Sequence, residues 1–136
     1  MGSEMCIRDS LDTLLDSRIE KAQTKFKEKF DPKKVKKILK DFLKIPEVSE
    51  WFERKPGRII LKEADFVSRN GSLYRMDRVL IDRDSIVVID FKTGEMEEQH
   101  RNQLRLYMKI LQGIFPGKLV KGYLGYIDLK RIEAVT

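Results

Sequence analysis

A chain of 136 residues with 28 Lys and Arg against 22 Asp and Glu, 41% hydrophobic and 37% charged, net +6, has the composition of one folded domain or a large fragment of one. The apolar fraction excludes a disordered chain, and the longest uninterrupted apolar run, Ile86 to Ile89, excludes a membrane-spanning helix. The one cysteine, Cys6, excludes a disulfide framework or Cys-rich zinc site, and with no apolar leader the expectation is a cytoplasmic setting with no membrane partner.

Met1-Gly2-Ser3 resembles an expression-vector start, and Met5-Cys6-Ile7-Arg8-Asp9-Ser10 resembles a translated sequencing adaptor. Residues 1–10 are therefore expected to be non-native, with the natural protein longer at this end. Residues 11–55 read as the helical part of the domain. Leu11, Leu14, Leu15, Ile19, Ala22, Phe26 and Phe30 recur at three- and four-residue steps behind a Ser10 cap. Asp31-Pro32 opens a second helix with Val35, Ile38, Leu39, Phe42 and Leu43 on one face, ending before Pro46. A short helical turn is expected from Glu47 to Phe52. The basic pI of 9.4 permits a polyanionic partner, although Lys25, Lys27, Lys29, Lys33, Lys34, Lys36, Lys37 and Lys40 are expected to be ordinary solvated helix faces.

After Pro56-Gly57 the apolar period shifts towards two, so residues 56–136 read as a sheet-containing core. Strands are expected at Arg58 to Val67, Ser72 to Ile81 and Ser85 to Lys92, turning at Asn70-Gly71 and at Asp82-Arg83-Asp84-Ser85. A helix from Met96 to Leu111 with Leu104, Tyr107, Met108 and Leu111 inward, stopped by Gly113, Pro116 and Gly117, leads to a last strand from Leu119 to Ile127. The fold class is thus α/β: a three-stranded antiparallel meander, a crossover helix and a fourth strand, preceded by N-terminal helices.

If the second hairpin turns symmetrically about Arg83-Asp84, paired residue numbers sum to 167 and Asp77 faces Asp90, with Lys92 on the same side. Two opposed carboxylates about 5 Å apart repel unless a proton or a cation lies between them. Oxygen donors alone, with the Phe91 backbone carbonyl as a further ligand, suit Mg²⁺ or Mn²⁺ rather than zinc. A metal beside a lysine suits phosphodiester hydrolysis. Gln103 and Tyr107 follow at i, i+4 on the next helix and can look back over the strand end.

Arg75-Met76-Asp77-Arg78-Val79, Asp90-Phe91-Lys92-Thr93-Gly94 and Gln103-Leu104-Arg105-Leu106-Tyr107 together resemble the motifs of the PD-(D/E)XK nuclease superfamily. Within it they look most like the RecB-like exonuclease branch found at the C-terminus of UvrD/Rep-type helicases and in Cas4-like proteins. The resemblance spans roughly Glu63 to Tyr126 and implies a restriction-endonuclease-like core that cuts DNA. It further implies Asp77 and Asp90 as metal ligands, Lys92 as the catalytic lysine, Gln103, Tyr107 and Arg78 as DNA-binding or site-bracing residues, and a helicase domain in the same or a partner chain. Glu63 is a further candidate ligand. A three-residue turn at Arg69-Asn70-Gly71 pairs it with Asp77, whereas a two-residue Asn70-Gly71 turn pairs Ala64 there instead.

RecB-like members usually carry a metal-binding His upstream of the sheet, and none lies between Leu11 and Arg58. His100 does not match that position and is expected to be a solvated residue at a helix start. On this reading the His belongs to a lost upstream segment, and the fragment is expected to bind metal weakly or not to cut. Three functions stay open: a metal-dependent nuclease of DNA repair or recombination, a catalytically inactive module that binds DNA or a helicase, and a plain protein-interaction domain.

Overall fold

The computed structural model describes residues 32–136. The expected segment 1–10 with Cys6, the helix over 11–30 and the Ser10 and Asp31 caps lie outside the described residues. The chain divides into two compact units, one running to Arg54 and taking in Ile127–Lys130, the other made of Lys55–Tyr126 and Arg131–Thr136.

In the first unit, α1 (Pro32–Leu43) buries Val35, Leu39 and Phe42 along one stripe, while Lys33, Lys36, Lys37 and Lys40 stay exposed. Helix α2 (Pro46–Glu50) starts on Pro46, whose fixed φ suits a first helical position, and closes with Trp51 N–H donating to the Val48 carbonyl at 3.0 Å. It ends two residues short of the expected Phe52. Val48, Trp51 and Phe52 are buried.

The second unit is one sheet with strand order β1-β2-β3-β4-β5: β1 (Ile59–Val67), β2 (Leu73–Ile81), β3 (Ser85–Lys92), β4 (Leu119–Tyr126) and β5 (Arg131–Val135). The first three form an antiparallel meander, α3 (Glu98–Ile114) crosses over to lay β4 parallel to β3, and β5 returns antiparallel. Central β3 reads Ser-Ile-Val-Val-Ile-Asp-Phe-Lys because both its faces are covered, which favours a continuous β-branched run over alternation. Val79, Ile81, Ile86, Val88, Leu104, Tyr107, Leu111 and Leu124 form the core of this unit.

Two expectations are corrected. The sheet has five strands, not four. Strand β5 is five residues long, and its turn contains no Gly, Pro or Asn, because Lys130 takes the left-handed position at φ 52. Gly113 does not stop α3, which runs on to Ile114. The cost of about 1 kcal/mol for a helical glycine is offset by Leu111 packing, and the helix gives out at Phe115, where the following Pro116 disfavours helical backbone.

Candidate active site

The turn chemistry fixes the registers that assemble the site. Asp82 N–H donates to the Ser85 carbonyl at 2.8 Å around Arg83-Asp84, and from Arg78↔Ile89 to Ile81↔Ile86 every β2–β3 pair sums to 167. At the other hairpin Ser68 N–H donates to the Ser72 carbonyl at 2.9 Å, and Gly71 lies at φ 87. This is a three-residue loop, and every β1–β2 pair sums to 140, the number that sets Glu63 against Asp77.

The β1–β2 ladder skips Glu63 and Asp77 themselves. Met76 and Val79 reach the same core cluster although three residues apart, as do Leu61 and Phe66 five apart. Strict alternation would send such pairs to opposite faces, so the pleat breaks at this level, and Glu63 takes the left-handed φ of 45. The Asp77 Oδ2 accepts a hydrogen bond from the Phe91 amide at 2.9 Å.

Asp90 ends the apolar part of β3 and is 6% exposed. Burial first, and then the Asp77 carboxylate beside it, push its carboxyl up to about 6 against the pull of Lys92. The Lys92 ammonium lies 2.9 Å from Asp90 Oδ2 and donates to Gln103 Oε1 at 2.8 Å. It is therefore held between the buried acid and the first half of α3, with its side chain still 23% exposed to an incoming ligand.

Tyr107 sits one turn beyond Gln103, buried, with Tyr74 edge-on to its ring at 6.2 Å. Burial and then the negative charge of Asp90 and Asp77 hold its phenol above the ordinary tyrosine value. Glu63 is exposed. Arg78 is 3% exposed, and burial followed by the neighbouring Arg58 lowers its guanidinium to about 10. Its burial leaves little surface for a ligand. Asp77, Asp90, Lys92, Gln103 and Tyr107 are brought together, and Arg78 is buried in the same strand as Asp77.

His100 is not solvated as expected: its side chain is 16% exposed and its Nδ1 lies 3.1 Å from the Tyr126 hydroxyl. The first turn of α3 lies over the end of β4, where Tyr126 is the register partner of Lys92. Sequence reasoning missed Tyr126 and Tyr74. The available signal for Tyr126 was the rule that ligand sites gather at the carboxyl ends of parallel strands.

The donor set decides which metal could bind. Among the described residues no group of three or more His, Cys, Asp or Glu side chains converges, so within them Asp77 and Asp90 would be joined at close range by backbone oxygens and water. A hard ion that keeps several waters, Mg²⁺ or Mn²⁺, fits such a set, and the raised Asp90 carboxyl is what a carboxylate pair without a cation should display.

A family model described as the PD-(D/E)XK nuclease superfamily matches residues 3–135. No curated protein matches the chain. Among solved structures, the crystal structure of SSO0001 is similar at 19% identity, covering 96% of this chain and 74% of that one with a TM-score of 0.37, a likeness too slight to add to the assignment.

Proposed function

Because the chain belongs to the PD-(D/E)XK nuclease superfamily, we propose that it is a metal-dependent DNA nuclease whose phosphodiester-cutting centre is built from Asp77, Asp90 and Lys92. The observation that carries this reading is the Lys92 ammonium, 2.9 Å from the buried Asp90 carboxylate and tied at 2.8 Å to Gln103. Asp77, Asp90 and the Phe91 carbonyl would hold the ion, with Glu63 as an outer candidate. A bound Mg²⁺ or Mn²⁺ would supply Lewis acidity and would polarise a water as the nucleophile.

The chain's own residues do the rest. The Phe91 amide fixes the Asp77 carboxylate. Lys92, held beside Asp90 and aimed by Gln103, donates to the phosphoryl oxygens as charge builds in the transition state. Tyr107, buried on α3, lies near enough for the charge of Asp90 and Asp77 to raise its phenol.

The three motifs and their order also support the finer reading: a RecB-like nuclease working with a helicase domain, in the same or a partner chain, during DNA repair or recombination. The alternative is an inactive module that binds DNA or a helicase. The observation favouring it is that only two acidic side chains, with no histidine, converge among the described residues.

The test is cleavage of labelled linear and circular DNA with Mg²⁺ or Mn²⁺ by wild type, Asp90→Ala and Lys92→Ala. Each change is expected to lower kcat by roughly 100-fold or more with unchanged circular dichroism. Cleavage that survives both changes would overturn the reading.

A further inference from the structure

We propose that α1 carries a second, non-catalytic grip on the DNA backbone, a row of lysines that binds phosphates without reading sequence. The proposal rests on the nuclease reading for the identity of the polyanion. Lys33, Lys36, Lys37 and Lys40 recur at three- and four-residue steps, and Lys44 continues the row in the turn after the helix. Two residues, about 200° of helical rotation, separate Lys33 from Val35, Lys37 from Leu39 and Lys40 from Phe42. The lysine row therefore lies opposite the buried stripe, and all five lysines are exposed.

An ordinary solvated helix mixes its charges, and this one does not. Its only carboxylate, Asp41, is engaged by Lys130 at 3.4 Å, and no acidic residue occupies its first turn. Among the described residues none of Lys33, Lys36, Lys37, Lys40 and Lys44 makes an ion pair. Like charges at i, i+4 cost about 0.2–0.5 kcal/mol per pair, and cations at a helix N-terminus oppose its dipole. The helix carries this self-repulsion with nothing inside the described chain to relieve it, and a bound polyanion would.

The chemistry of the face selects the partner. Protein interfaces are poor in Lys and built around apolar or aromatic anchors, and none of the large exposed apolar side chains lies on α1. A membrane-surface helix must offer its apolar face to lipid, but Val35, Leu39 and Phe42 are at most 6% exposed. No aromatic side chain interrupts the row to stack on a base, which leaves phosphates. From Lys33 to Lys40 the row is about 10 Å long, the axial rise of about three phosphates on one strand.

The experiment is fluorescence anisotropy of a labelled duplex with the full chain in EDTA, titrated across KCl concentrations. Wild type is compared with the quadruple Lys33→Gln, Lys36→Gln, Lys37→Gln, Lys40→Gln variant and with the double Lys33→Gln, Lys40→Gln variant. The slope of log affinity against log salt should become shallower by roughly 3 to 4 in the quadruple variant and by roughly 2 in the double, which stands in if the quadruple fails to fold. Turnover at saturating DNA in Mg²⁺ should be unchanged, with KM raised.

Equal slopes in wild type and double variant would overturn the proposal while leaving the nuclease reading intact, as would lost binding to anionic phosphatidylserine vesicles with an unmoved DNA slope. A wild type that binds no DNA at low salt would sink both. A shallower slope in a protein whose cleavage survives Lys92→Ala would uphold the lysine row and reject the proposed catalytic centre.

Discussion

Asp90 is the residue on which the most physics converges. Folding buries a carboxyl at the end of an apolar strand beside a second carboxylate, which raises it from 3.8 to about 6 even with Lys92 at 2.9 Å. The folded chain thus holds this proton more tightly than the unfolded one, so in metal-free buffer its contribution to stability is full below about pH 4 and is lost as pH rises through about 6. Asp90→Asn, which cannot ionise, should therefore be more stable than wild type above pH 6 in EDTA, by up to about 3 kcal/mol, with the gap closing near pH 4. Thermal unfolding of the two proteins across pH checks this. A gap that is absent, or that widens on acidification, would contradict it. The same proton competes with any cation, so metal affinity should rise over the same interval.

At the scale of elements, helix α3 positions Gln103 and Tyr107, and its seat on β4 depends on Gly122. A Cβ there would lie 2.5 Å from Met108 Sδ and 3.2 Å from Leu104 Cδ2. The Met108 end can swing aside whereas buried Leu104 cannot, so Gly122→Ala should cost about 1 kcal/mol and Gly122→Val about 3 kcal/mol. Equilibrium urea unfolding measures both, and two neutral results would refute the close seat.

Much at this scale was legible beforehand. A two-residue turn at Arg83-Asp84 determines the β2–β3 register by arithmetic, and the register observed is that one. The first hairpin was ambiguous because Asn70-Gly71 suits loops of two or three residues, and only the folded turn selects the longer. Strand β5 was not legible because five residues with a lysine at the left-handed position carry no turn signal. Nor could the pleat break at Glu63 and Asp77 be foreseen, since it shows only in which side chains reach the common core. His100 beside Tyr126 was equally hidden, because it joins elements 26 residues apart.

For the molecule as a whole, the net charge of +6 and the lysine row on α1 describe a surface suited to polyanions, and no helix among the described residues is long and apolar enough to cross a membrane. Any ion that binds only the folded chain adds its binding free energy to the stability of the whole fold, about 2.7 kcal/mol at a hundredfold excess over Kd. That link makes the proposed holding of a divalent metal by Asp77 and Asp90 together measurable without knowing the DNA substrate. The measurement is thermal unfolding of wild type and Asp77→Asn with Mn²⁺ raised from micromolar to millimolar. Asn keeps an oxygen for the Phe91 amide, so the variant should fold. The wild-type Tm should climb by several degrees with Mn²⁺ while the variant stays flat. A wild type that does not respond, or a variant that responds equally, would contradict it.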